Sequence, residues 1–193
     1  AIVDAVNAES RLPVTASIDG TTTSQVNLTC RWGGATGNDI DLRMAAKGEQ
    51  RPQGLALTFT QPTGGAANPD LTVAIAAMGG EWWNWIALPY TDTTSLEAME
   101  GELADRYGPM RQIGGRAFAA FRGNHADTAT LGNGRNAPHV TIMGTNLVPS
   151  PTWLWCATNA IVGAQALAID PARPLQRLAL PGLMGPTEST RWS

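Results

Sequence analysis

Three short runs of almost continuous apolar character constrain this chain most: "WNWIAL" (83–88), "RAFAAFRG" (116–123) and "HVTIMG" (139–144). Each is too short for a helix and too uniformly apolar for a strand with one wet face. The segments between and after them have helical spacing. "DTTSLEAMEGELADRYG" (92–108) places Leu96, Met99, Leu103 and Tyr107 on one stripe, with Thr94 or Ser95 as its cap. "DTATLGNGRN" (127–136) is a short helix, "PTWLWCATNAIVGAQALAID" (151–170) a long one, and "LQRLALPG" (175–182) reads as a fourth strand. Fully apolar strands joined through helices require crossover connections, and so a parallel sheet covered on both faces. Within it, Trp83 and Trp85 are expected in a buried strand, with "PYTD" (89–92) as the βα turn at its carboxyl end.

The first third follows a different rhythm. After a short helix in "AIVDAVNAESRLP", "VTASID", "QVNLTCRW", "DIDLRM" and "GLALTFT" each alternate apolar and polar residues, with a turn at Asp19-Gly20. Period-two alternation in successive short runs predicts an antiparallel sheet. "QPTGGAANPD" (61–70) has little to bury and marks the boundary. The expected organisation is a small β-rich domain over 1–66 and an α/β domain over 67–193. Asn68 is the expected N-cap of a helix in "PDLTVAIAAMG", closed by Gly79-Gly80.

The 193 residues are 43% apolar and 15% charged, enough to bury a core, with net charge −3. One lysine stands against twelve scattered arginines, and no basic stripe points to nucleic acid. Cys30 and Cys156 lie in apolar runs without metal-ligand spacing and read as buried free thiols. No 18-residue apolar stretch is evident, so no membrane partner is expected. The opening at Ala1 reads like a helix interior, as expected for a piece of a longer protein.

The carboxyl-edge loops hold Tyr90, Thr91 and Asp92, then Arg122, Asn124, His125 and Asp127, then Thr145 and Asn146. His125 and Asp127 have the types for acid–base work, with Asp92 as a third member of a hydrolase site, but Asp127 as a helix cap is the simpler reading. Trp82, Trp83 and Trp153 could form a carbohydrate- or surface-binding platform. Asp39 and Asp41 share a strand face but fall short of a calcium ligand set. "GGATGND" lies between strands, the wrong context for a phosphate cradle. No catalytic, cofactor or metal site is assigned.

Longer blocks carry a resemblance. "GNDIDLRM" (37–44), "NPDLTVAIAAMG" (68–79), "WIALPYTDTTSLEAMEGELADRYGPMRQIGGRAFAAFRG" (85–123), "TLGNGRNAPHVTIMG" (130–144) and "LAIDPARPLQRLALPG" (167–182) resemble the tail sheath proteins of Mu-like contractile-tailed phages and prophages. The resemblance implies a structural subunit of a virion tail, assembled in the bacterial host cytoplasm, with other sheath subunits, the tail tube and the baseplate as partners and contraction as its function. It implies a subtilisin-like α/β fold. The subtilisin motifs are absent, so no protease activity carries over and no enzyme is expected. A large C-terminal part of such a protein is expected to be missing, leaving a monomer. Arg43, Arg51, Arg106, Arg111, Arg122 and Arg135 are candidate subunit-interface residues, able to pair with acids of a neighbour.

Overall fold

The structure is a computed structural model that describes residues 1–44, 50 and 53–186. The three apolar runs form a parallel sheet in the order β3-β4-β5, with β3 at Trp85–Leu88, β4 at Arg116–Phe121 and β5 at Val140–Gly144. The register sets Ile86 beside Ala117 and Ala117 beside Val140, and two residues on sets Leu88 beside Ala119 and Ala119 beside Ile142. These two rows face α3 (Thr93–Tyr107), whose Leu96, Met99 and Leu103 complete a buried cluster. Leu131 from α4 (His125–Asn133) packs against the same cluster. Burying a side chain such as Leu96, fully enclosed here, contributes about 2 kcal/mol.

The opposite face carries Trp85 and Phe118, stacked at 5.8 Å, and α5 (Thr152–Ile169) lies over β3 and β4. Buried Thr152, Cys156, Ala160, Gly163 and Ala166 recur every three or four residues, so a stripe of small side chains lets the helix sit close to the sheet. A Cβ on Gly163 would lie 3.5 Å from the Phe118 ring. α5 has no charged residue over its 18 residues and is long and apolar enough to cross a bilayer, which corrects the expectation that no such stretch exists. Its small-residue face is packed on the sheet, while Leu154, Ile161 and Ile169 are exposed.

The first third holds α1 (Ile2–Ala8) and two antiparallel strands, β1 (Val14–Ile18) and β2 (Val26–Cys30). Asp19 Oδ1 accepts bonds from the Thr21 and Thr22 amides and shapes the turn between them. The Asn7 amide occupies the outer edge of β1. Its Nδ2 donates to the Ala16 carbonyl at 2.9 Å and its Oδ1 accepts from the Ala16 amide at 2.8 Å.

Several expected elements are not formed. "DIDLRM" is not a strand: a 3-10 turn at Ala35–Asp39 runs into it, and the Gln61 side-chain amide pairs with both the N–H and C=O of Leu42. "GLALTFT" is not a strand either; Leu55, Leu57 and Phe59 are exposed, and among the described residues no strand pairs with them. The fourth strand in 175–182 is also absent. β3 begins only at Trp85, leaving Trp82 and Trp83 exposed ahead of it. Tyr107 is exposed at the end of the α3 stripe. The α2 helix (Thr72–Met78) is closed by Gly79 at φ 51°, as its sequence requires.

Candidate functional site

The carboxyl edge of a parallel sheet is the usual place for an α/β site, and here the chain covers it with its own residues. Residues 35–43 cross the ends of β4 and α5. The Thr152 hydroxyl, at the first turn of α5, lies 2.5 Å from Asp39 Oδ2. Two residues on, the Asp41 carboxylate receives Arg43 through Nε at 2.5 Å and Nη2 at 2.7 Å, and Arg122 Nη2 at 3.4 Å. The Asp41 side chain is 6% exposed, so this charge is held by its arginine partners rather than by water. Burial pushes the Asp39 carboxyl above its ordinary range, against the opposing pull of the Thr152 hydroxyl and the Arg122 charge. Trp32 meets Trp153 edge-on at 5.3 Å beside the same helix end.

The linker completes the closure. Asn68 is not the cap of α2; its Oδ1 accepts from the Ala35 amide at 3.0 Å and its Nδ2 donates to Asp92. The helix start is held instead by Asp70, which accepts from the Thr72 amide and hydroxyl. Asn38 and Gly65 exchange two bonds at 2.9 Å. Any side chain at Gly65 would place a Cβ 2.5 Å from the Gly34 carbonyl oxygen.

The acids expected for hydrolysis are occupied differently. Asp92, not Thr94 or Ser95, caps α3 by accepting from the Ser95 amide at 3.0 Å. Asn124, not Asp127, caps α4 through the Asp127 amide at 2.9 Å, and His125 stands at the first position of that helix. The tryptophans do not share a platform: Trp82 and Trp83 lie before β3 at the amino edge, while Trp153 is at the start of α5. Among the described residues no three His, Cys, Asp or Glu side chains are grouped to hold a metal ion.

The described candidate arginines each have partners within the chain. Arg106 is buried; its Nη1 donates to the Gly79 carbonyl at 2.7 Å, and its Nη2 to the Glu81 carbonyl. Arg111 reaches Glu102 at 3.0 Å, Asp105 at 2.9 Å and the Gly79 carbonyl at 2.9 Å. Arg135 Nη1 lies 3.0 Å from both oxygens of Glu100, in a cleft of about 590 Å³ between α3 and α4. Arg43 and Arg122 meet at Asp41. Arg51 lies outside the described residues. Sequence reasoning missed the Asp39–Thr152 and Asn68–Asp92 ties, because partners 113 and 24 residues apart leave no spacing signal.

A three-stranded parallel sheet between helices, closed at its carboxyl edge by a segment that follows a small antiparallel sheet, defines an α/β protein with an accessory β element. Residues 64–193 match the phage tail sheath protein central domain family. The chain is also 45% identical over 188 residues to the Mu-like prophage FluMu tail sheath protein of Haemophilus influenzae, an alignment covering 97% of this chain and 38% of that relative. The chain therefore belongs to the phage tail sheath protein family. It spans well under half the length of the curated relative it matches.

Proposed function

We propose that this chain is the part of a contractile tail sheath subunit that repeats as a rigid block around the tail tube, and that contraction rearranges the contacts between blocks. The observation that carries this reading is the 45% identity to a prophage tail sheath protein over nearly the whole chain. Its physical counterpart is the buried cluster of β3, α3 and β4 that fixes the α/β core of each block internally. A subunit can move as a rigid body between two lattices only if its own contacts outlast those between neighbours. Head-to-tail contacts that do not close generate the helical array.

The proposed partners are other sheath subunits, with the tube and baseplate at the two boundaries of the array, and assembly takes place in the host cytoplasm. No catalytic role, membrane or nucleic acid enters the reading, and the α/β part is read as the family's subtilisin-like domain without a catalytic triad. A division at 66/67 into a β-rich part and an α/β part is supported by the two separate sheets. Among the described candidate arginines, Arg43 and Arg111 keep 34% and 29% of their side chains exposed and are best placed to share an acid of a neighbour. Alone, the 193-residue chain is expected to be monomeric by light scattering. Antibodies raised against it, applied to particles bearing this sequence, should decorate the tail along its length in electron micrographs; decoration of heads or fibres alone would refute the assignment.

A further inference from the structure

The closure of the carboxyl edge has an unusual composition. No strand pairing joins residues 35–43 to β3, β4 or β5, and the two sheets remain separate. The main buried cluster draws on β3, α3 and β4 and contains none of these residues. What joins them to the α/β part is largely polar: Asp39 to Thr152, Asp41 to Arg122, and Ala35 to Asn68. Ile40 is the buried apolar residue within the segment.

The closed arrangement is also incompletely satisfied. Arg122 Nε is buried and has no hydrogen-bond partner. Asp41 divides one carboxylate between two guanidinium groups. Asp39 keeps a carboxylate in a half-buried position, with Thr152 as its hydrogen-bond partner. Buried polar networks that leave a donor unmet hold less firmly than their number of bonds implies, because each unmet group retains its desolvation cost. At the start of the segment, Gly34 has φ 117°, a conformation open to glycine, and Arg31, Trp32 and Gly33 link it to the end of β2.

We propose that residues 35–43 are a polar latch, closing the carboxyl edge of the parallel sheet and opening as one unit while the α/β core stays folded. Opening, together with release of the Trp32–Trp153 ring contact, frees the β1–β2 sheet to change its placement about Gly33-Gly34. This goes beyond the sheath assignment and does not depend on it, since the latch is a property of the isolated chain.

Native-state hydrogen exchange of the 193-residue protein tests it. In sub-denaturing urea, amides of 35–43 should share a single opening and exchange about tenfold or more faster than those of β4. Thr152→Val and Asp41→Asn should each accelerate exchange in 35–43 further and leave β4 and α3 at wild-type protection. Opening of 35–43 only together with β4 would overturn the proposal, as would variants that leave the segment unchanged or loosen β4 with it. The wild-type measurement decides the matter even where a variant fails to fold.

Discussion

The Thr152 hydroxyl donates to Asp39 Oδ2 at 2.5 Å, joining residues 113 positions apart at the amino end of α5. Asp39 is there as an acceptor more than as a charge. Burial raises its folded-state pKa, with Thr152 and Arg122 opposing. A raised carboxyl pKa means that the folded protein binds this proton more tightly than the unfolded chain. Stability from this group therefore grows as pH falls through the folded pKa, and the ionised form is a cost at neutral pH. Asp39→Asn keeps an acceptor for Thr152 and removes the charge. Urea unfolding at pH 7 should find it as stable as wild type or more so, with the advantage shrinking towards pH 4. A loss above about 1 kcal/mol at pH 7, the scale of one net hydrogen bond, would show that the charge itself holds the contact.

Arg106 is the largest fully buried side chain, and it fastens the loop before β3 through the Gly79 and Glu81 carbonyls. Arg106→Ala leaves the Glu81 carbonyl without this donor, while Arg111 still reaches the Gly79 carbonyl and Glu102. The expected cost is about 2 kcal/mol, from one unmet carbonyl and lost packing, read as a shift of the urea midpoint. Arg106→Met, which refills the volume, should lose less. Equal losses would assign the effect to the lost donors rather than to packing.

Asp92 joins the α3 N-terminus to Asn68 of the linker. Burial raises its pKa, but the bonds from Asn68 and Ser95 outweigh that, and the carboxyl is held below its ordinary range. The sign is opposite to that of Asp39: this stability is present above the unfolded pKa and lost as pH falls through the lower folded one. Asp92→Ala should cost about 1 kcal/mol at pH 7, as for other N-caps, and the gap to wild type should close on acidification below pH 4. Thermal melts across pH 3–7 would show it; a gap that widens in acid refutes the assignment.

Cys156 lies under α5 against the sheet, with Sγ 3.1 Å from the Trp153 carbonyl oxygen, and burial pushes its thiol up to about 11. Cys30 is half-buried. A thiol reagent at pH 8 should modify Cys30 first and reach Cys156 only as the protein unfolds. Rapid labelling of both in the native state would mean that α5 lifts from the sheet.

The parallel sheet was legible because its signals are local. "RAFAAFRG" and "HVTIMG" are apolar runs between helices, and Leu96, Met99 and Leu103 recur at helical spacing; these formed where their patterns lie, while "LQRLALPG" formed no strand. The first third was misread where alternation stood alone. "GLALTFT" alternates as well as β1 does, but a strand needs an edge to pair with, and among the described residues no strand pairs with Leu55, Leu57 and Phe59. The caps were displaced for a related reason. Several Asp, Asn, Ser and Thr residues near each helix start compete for the same few amides, and backbone geometry chose Asp92 and Asn124.

From its residues alone, the chain determined the helices and three parallel strands of the α/β part, since periodicity and apolar content act within a few residues. Its blocks also carried the family. Tertiary structure alone decided that the carboxyl edge is closed from within, and that the described candidate arginines find acids or carbonyls of their own chain. Those outcomes depend on charges and hydroxyls brought together from distant positions, where the free energy of a contact is set by shared burial rather than by sequence spacing.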